Sequence, residues 1–131
     1  MILAICADDK LGLSFAGRRQ SKDSEIRRRL IELSKGQLRM SDYSARQFEE
    51  PVYHGADYLT NANRGDWCFV ENADHETCTG QIERIVLFRW NRHYPADVFF
   101  RFPGNWTLVD TEEFAGSSHD KITMEVYQKC E

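Results

Sequence analysis

Short apolar runs separated by polar segments dominate this chain, a pattern that predicts a domain built around a β-sheet. The clearest strand candidates are three runs: residues 1–7 (MILAICA), 67–72 (WCFVEN) and 81–90 (QIERIVLFRW). Three shorter strands are also predicted, with a turn at 103–105 (PGN) before the last of them: residues 37–40, 97–102 and 106–110. Because no run is long enough for a bilayer-spanning helix, no membrane partner is expected.

One segment, residues 24–36 (SEIRRRLIELSKG), has the periodicity of an amphipathic helix. Asp23 or Ser24 can cap its start, and Gly36 can end it. Helical signals are weaker in three other segments, the last of which also fits a strand: residues 41–50, 54–66 and 117–129.

The order of these elements predicts an α/β (α+β) fold. The chain has 131 residues, a length that suits one compact ligand-binding domain, residues 1–131. We expect its core to be a mixed β-sheet of about five or six strands, with two to four helices packed on it.

The composition narrows the possible partners. The formal net charge is −4, so a nucleic acid polymer is not expected as a partner, because such partners need a strongly basic surface. Cys6 and Cys68 lie within apolar runs and are expected to be buried core thiols. Cys68, His75 and Cys78 match no standard zinc spacing, and neither a metal nor another cofactor is expected. Met1 leads into an apolar run too short for a signal peptide, which predicts a reduced, cytoplasmic location.

A glycine-containing basic segment, residues 11–21 (LGLSFAGRRQS), lies between the first predicted strand and the first predicted helix. Its glycine spacing is similar to that of a P-loop, but Arg18 stands where a P-loop has lysine and Arg19 where it has serine or threonine. Nucleoside-triphosphate hydrolysis is therefore not expected. The two guanidinium groups, together with Gln20 and Ser21, still offer many donors to a phosphate. The alternative interpretation is a solvated basic loop.

A second cluster, residues 88–97 (FRWNRHYPAD), ends the strongest predicted strand. Strand alternation would place Arg89 and Asn91 on one face, and Trp90 and Arg92 on the other. An indole can stack on a base, an amide can bind a base edge or a ribose hydroxyl, and a guanidinium can bind phosphate. The alternative is a strand end whose Trp90 belongs to the core and whose arginines extend over the surface.

Three consecutive arginines, Arg27 to Arg29, lie in the predicted helix. Neighbouring helical residues point about 100° apart, so the three side chains cannot converge on one ligand. These arginines are expected to be charged groups at the surface. One of them, which we take to be Arg28, is a candidate to line a pocket or a subunit contact. The chain has no GxSxG or HExxH motif, and its scattered carboxylates do not identify a paired acid and base.

Four segments together resemble the first family of phage-encoded Thoeris anti-defence proteins: ICADDKLGLSFAGRRQSKD, GDWCFVEN, RWNRHYPAD and EFAGSSHDKIT. The chain is also similar to small phage and prophage proteins of Firmicutes, some of which carry a ribonuclease Z label. The histidine-rich metal motif of a true ribonuclease Z is missing from this sequence. The resemblance extends over nearly the full length, although it includes no catalytic motif.

The resemblance implies a signal-binding sponge. Proteins of this family bind cyclic ADP-ribose isomers without cleaving them, some also bind cyclic oligonucleotides, and they assemble as dimers or higher homo-oligomers. Such a ligand calls for aromatic stacking, amide or hydroxyl contacts and guanidinium groups. The candidate ligand-binding residues supply these types, and none is expected to be catalytic: Arg18, Arg19, Gln20, Ser21, Arg28, Arg89, Trp90, Asn91 and Arg92.

Two other functions remain open at this point. An acidic, aromatic protein of this size suits a protein-binding inhibitor or immunity protein that covers a basic enzyme. A small nucleotide-processing enzyme could instead be built around residues 12–21. Different observations would distinguish the three functions. A sponge binds an intact cyclic nucleotide tightly, an inhibitor binds a protein partner, and an enzyme turns over a nucleotide.

Overall fold

A seven-stranded mixed sheet forms the centre of the molecule in a computed structural model that describes residues 1–130. Its strands, in spatial order, are β5 (Tyr53–His54), β4 (Leu38–Met40), β6 (Trp67–Phe69), β1 (Ile2–Ala7), β7 (Arg84–Arg89), β10 (Ile122–Lys129) and β9 (Trp106–Phe114). The first five strands run parallel to one another. The last two form an antiparallel hairpin that joins the sheet through β7.

A small antiparallel sheet lies beside the large one. Its strands, in spatial order, are β3 (Arg18–Arg19), β2 (Gly12–Phe15) and β8 (Val98–Phe99). The turn between β2 and β3 consists of Ala16 and Gly17, whose φ angles are 51° and 76°. Two successive positive φ angles are typical of the two-residue turns whose twist matches that of a hairpin.

Two α-helices complete the secondary structure, together with two short 3₁₀ segments between β6 and β7. They are α1 (Ser24–Ser34) and α2 (Asp42–Ala45). Asp23 caps α1 by accepting a hydrogen bond from the backbone N–H of Glu25, as a residue with a short acidic side chain is suited to do. No helix within residues 1–130 is long and apolar enough to cross a membrane.

The hydrophobic core has two halves, one on each face of the large sheet. Successive residues of β1 alternate between them: Leu3 and Ile5 lie in one half, Ile2 and Ala4 in the other. Ile26 of α1 belongs to the second half. Burial on both faces explains why the parallel strands β1, β6 and β7 are almost continuously apolar in the sequence.

The predicted α/β class with a mixed sheet and two to four helices is confirmed, but the number of strands is higher than the predicted five or six. No strand was predicted within residues 12–19, yet they form the hairpin of the small sheet. The second strand of this hairpin, β3, has only two residues, too few to show the alternation of apolar and polar positions that predicts a strand. The C-terminal segment, which fitted a helix or a strand, is the eight-residue strand β10.

Candidate functional site

Two neighbouring strands of the parallel part, β1 and β6, lead into connections that cover opposite faces of the sheet. From β1 the chain passes through α1 over one face to β4, and from β6 it passes over the other face to β7. Since β1 and β6 are neighbours, a crevice is expected beyond their carboxyl ends, which is where open α/β sheets bind ligands. Asp8 and Glu71 follow these two strands closely.

A cavity of about 550 Å³ lies at this end of the molecule and has a mainly polar, cationic lining: Arg18, Arg19, Ser21, Lys22 and Tyr43. The volume is within the usual range for small-molecule sites. Two much smaller cavities, each of about 10 Å³, share Ser21 with it and also contact Glu71 and Trp90. Each is about the size of one water molecule.

Arg19 is held rigidly in the wall of the large cavity. Its Nε donates to Glu71 Oε2 at 2.8 Å, and its Nη2 donates to Glu71 Oε1 at 3.2 Å. The guanidinium carbon also lies 4.3 Å from the ring centroid of Tyr43, where a cation is attracted to an aromatic face. Burial alone would lower the pKa of Arg19, but the hydrogen bonds and charge of Glu71 raise it, so the side chain is a fixed cation.

Glu71 joins three elements at the carboxyl edge of the sheet. Besides Arg19, its Oε1 accepts hydrogen bonds from Ser44 Oγ at 2.8 Å and Gln47 Nε2 at 3.0 Å. The carboxylate therefore links β6 with β3 and with the region of α2. This network positions the wall of the cavity.

Arg18 and Lys22 are the available cations of the cavity. Neither side chain forms an ion pair within the part of the chain that the structure describes. The charges of Arg19 and Glu71 offset each other, so Arg18 and Lys22 give the lining an excess of two positive charges. An anionic group, above all a phosphate, is the ligand chemistry that such a lining favours.

Gln20 does not line the large cavity and instead supports the fold around Asp8. The buried carboxylate of Asp8 accepts hydrogen bonds from Gln20 Nε2 at 3.1 Å, and from the backbone N–H groups of Lys10, Gly12 and Tyr94. Burial alone would raise the pKa of Asp8, but these hydrogen bonds hold it below its ordinary value. Asp8 is thus an ionised structural group.

The second sequence cluster does not line the large cavity, although Trp90 borders the two small cavities beside it. Trp90 is only 3% exposed, and its ring stacks on His119 with the centroids 4.6 Å apart. Arg89 pairs with Glu125 of β10 at 2.6 Å. These contacts agree with the alternative in which Trp90 is a core residue.

The end of β7 does not keep the predicted alternation through Arg92. Pairing with β10 ends at Arg89, and Asn91 has a left-handed φ of 58°. The amide of Asn91 donates to Thr123 Oγ1 at 3.0 Å and to the carbonyl of Lys121 at 3.2 Å. Arg92 is exposed. The structure therefore uses the polar groups of this cluster to attach β7 to β10.

Arg28 is also separate from the large cavity. Its guanidinium pairs with Glu25 at 2.6 Å and with Glu32 at 2.7 Å on the outer side of α1. It borders a different cavity of about 200 Å³, which Glu49 and Glu50 help to form. Of the nine residues predicted from the sequence, three line the large cavity together: Arg18, Arg19 and Ser21.

A buried polar cluster stands beside the start of α1. Asp23 accepts hydrogen bonds from Ser118 Oγ at 2.9 Å and from three backbone N–H groups, those of Glu25, Ser117 and Ser118. Although burial opposes ionisation, the hydrogen bonds lower the pKa of Asp23 to about 2. The Ser118 hydroxyl contacts Asp23, the carbonyl of Lys22 and His119 Nδ1, so it is enclosed in a structural network.

Two residues of the cavity, Lys22 and Tyr43, are not among those predicted from the sequence. Lys22 directly follows the basic segment 11–21, and extending that segment by one residue would have included it. Tyr43 lies in α2 and has no local signal, because it meets β3 only through long-range contacts, those of Arg19 with Tyr43 itself and those of Glu71 with Arg19 and Ser44.

Comparison with protein-family models finds no match for this chain. A search of curated proteins likewise finds no significant match.

Proposed function

We propose that this protein binds a cyclic nucleotide signal, of the cyclic ADP-ribose isomer class, and sequesters it without cleavage. In this proposal it is a phage anti-defence sponge that acts in the cytoplasm of the host bacterium. The observation that carries the proposal is the cavity at the carboxyl edge of β1 and β6, with two available cations and an exposed aromatic ring in its lining. The resemblance supplies the identity of the signal.

The chemistry of the lining suits the parts of such a ligand. A cyclic ADP-ribose isomer combines a pyrophosphate, two riboses and an adenine ring. Arg18 and Lys22 can bind the phosphates, and the hydroxyl of Ser21 can bind a phosphate or ribose oxygen. Tyr43 offers a flat surface to the base.

Retention without cleavage is supported by the state of the nearby carboxylates. Glu71, Asp8 and Asp23 each accept several hydrogen bonds, and the pKa values of Asp8 and Asp23 lie below their ordinary values. A general acid or base works best with a pKa near the operating pH. Asp8 and Asp23 have instead the properties of permanent structural anions.

The resemblance also leads us to propose homo-oligomers, dimers or larger, as the binding form. Light scattering coupled to size-exclusion chromatography measures the mass directly. A mass of one chain over the concentration range used for binding would contradict this part of the proposal and leave the ligand proposal intact.

The decisive experiment is isothermal titration of the protein with cyclic ADP-ribose isomers and with cyclic di- and trinucleotides. After titration, each mixture is heated, and the released ligand is identified by chromatography. We expect tight binding of one class and release of the ligand unchanged. Release of an altered ligand would establish a nucleotide-processing enzyme, and absence of binding across the panel would refute the proposal in favour of a protein-binding role.

A pair of double variants assigns the site. Arg18→Ala with Lys22→Ala removes the two available cations, and we expect affinity to fall at least about tenfold, since each charged hydrogen bond is worth about 1.5–3 kcal/mol. Arg64→Ala with Lys129→Ala removes the same charge from another cavity at the opposite end of β1, and should leave affinity unchanged. Equal losses in both variants would contradict the assignment.

A further inference from the structure

Tyr43 has an unusual combination of anchoring and exposure. Its backbone carbonyl accepts a hydrogen bond from Arg19 Nη2 at 3.3 Å, and its hydroxyl accepts one from the backbone N–H of Arg19 at 3.2 Å. The Arg19 guanidinium lies against one face of the ring, 4.3 Å from its centroid. Nevertheless, 38% of the residue is exposed, and it lines the large cavity.

These contacts keep the ring from rotating freely. Both ends of the residue, the carbonyl and the hydroxyl, are tied to Arg19, and Arg19 is in turn tied to Glu71 by two hydrogen bonds. A ring fixed in this way loses little conformational entropy when a ligand stacks on it. A cation on one face also makes the ring a better partner for an electron-rich heterocycle on the other face.

We propose that Tyr43, supported by Arg19, is the platform on which the base of the ligand stacks. The inference rests on the proposed nucleotide-binding function and makes it more specific: the ligand must combine a flat heterocycle with a phosphate. The heterocycle stacks on the exposed face of Tyr43, and the phosphate is bound by Arg18 and Lys22 in the same cavity. Trp90, the residue predicted from the sequence for stacking, is buried against His119 and has no face free for a base.

The structure offers a matched control for this platform. Tyr53 of β5 is 43% exposed, and the guanidinium of Arg39 lies over its ring at 4.0 Å. It therefore has the same type of aromatic–guanidinium contact and similar exposure, but it does not line the large cavity. An effect that depends on the cavity should appear at Tyr43 and not at Tyr53.

The test compares Tyr43→Leu, Tyr43→Phe and Tyr53→Leu, titrated with two probes, a cyclic ADP-ribose isomer and inorganic pyrophosphate. Tyr43→Leu should weaken the nucleotide at least about tenfold, a typical effect of removing one stacking ring, and change pyrophosphate affinity less than about twofold. Tyr43→Phe keeps the ring and should retain most of the nucleotide affinity. Tyr53→Leu should behave as the wild type with both probes.

Proton NMR gives a second readout that a loss of stability would not imitate. Stacking on Tyr43 should shift the base protons of the bound nucleotide upfield, and this shift should disappear in Tyr43→Leu at saturating nucleotide. Thermal melting checks that each variant is folded.

The possible failures are distinguishable. If the wild type binds pyrophosphate but no nucleotide in the panel, the proposed function itself is refuted, and the platform with it. If the wild type binds nucleotide and Tyr43→Leu does so equally well, the platform alone is refuted. Equal loss of nucleotide and pyrophosphate in Tyr43→Leu would also overturn it, because the residue would then support the cation site rather than the base.

Discussion

Arg19 and Glu71, 52 residues apart in the sequence, form a two-point ion pair at the carboxyl edge of the sheet. Their side chains are 20% and 9% exposed. The pair connects the hairpin of the small sheet to the end of β6, and through Ser44 it also reaches α2. One wall of the candidate binding cavity therefore depends on this contact.

Replacing Glu71 with Gln should destabilise the protein. An amide cannot satisfy all the donors that now converge on the carboxylate, and it leaves the Arg19 charge without its partner. We expect the free energy of unfolding to fall by about 2–3 kcal/mol. Urea denaturation followed by circular dichroism measures it.

Glu32→Gln is the control for this variant, since Glu32 is 72% exposed and pairs with Arg28 on the surface of α1. Exposed ion pairs contribute little to stability, so Glu32→Gln should lower the free energy of unfolding by less than about 1 kcal/mol. A loss at Glu71 no larger than that at Glu32 would show that the Arg19–Glu71 pair does not stabilise the fold.

Asp23 should make stability depend on pH in the acid range. Its pKa is about 2 in the folded protein, below its ordinary value of 3.8. A lowered folded pKa means that the stabilisation is complete above the ordinary value and is lost as the pH falls from about 4 toward 2. We expect Asp23→Asn to lose about 2 kcal/mol at pH 7 and to flatten this part of the pH profile.

The profile is measured by denaturant unfolding at a series of pH values, with Asp42→Asn as the control. Asp42 is 69% exposed and pairs with His54 at the surface, so its replacement removes a carboxylate without opening a buried network. Because the pKa of Asp8 is also lowered, both variants should retain part of the dependence of the unfolding free energy on pH. Identical slopes for Asp23→Asn and the wild type would contradict the assignment.

Trp90 should be important for stability more than for binding. It is 3% exposed and stacks on His119 within the core, so Trp90→Ala should cost about 3–5 kcal/mol of unfolding free energy. Trp90→Phe keeps an aromatic ring and gives a folded protein for titration. Because Trp90 does not line the large cavity, we expect the cyclic nucleotide affinity of Trp90→Phe to stay within about threefold of the wild type. A stable Trp90→Phe variant with no affinity would restore Trp90 to the site.

Part of the fold could be predicted because its signals are local. Leu3 and Ile5 lie in an unbroken apolar run, which indicates a strand buried on both faces, and this strand is the central β1. Asp23 immediately precedes an amphipathic period, and it is indeed the cap of α1. In the small sheet, β8 lies within the predicted strand 97–102, but the hairpin of β2 and β3 was not predicted, since β3 has two residues and exists through its pairing with β2.

In the candidate site, too, some features could be predicted from local sequence and others depend on distant residues. The basic segment around Arg18 and Arg19 is visible in the sequence, and the structure places both residues in the cavity lining. Arg89 and Asn91 carry the same types of polar group, but β10 supplies Glu125 and Thr123 to engage them. A sequence shows which donors a segment contains, but not which acceptors a distant strand will bring to them.

The sequence by itself therefore determined the class of fold, the central strands, the first helix with its cap, and one basic segment, because periodicity and capping depend on neighbours within a few residues. Only the tertiary structure decided that Lys22 and Tyr43 complete the cavity and that Trp90 is covered by His119. The physical reason is that strand order and crossover connections decide which distant side chains meet. The Arg19–Glu71 contact, which brings α2 and Tyr43 to the cavity, is a product of that order.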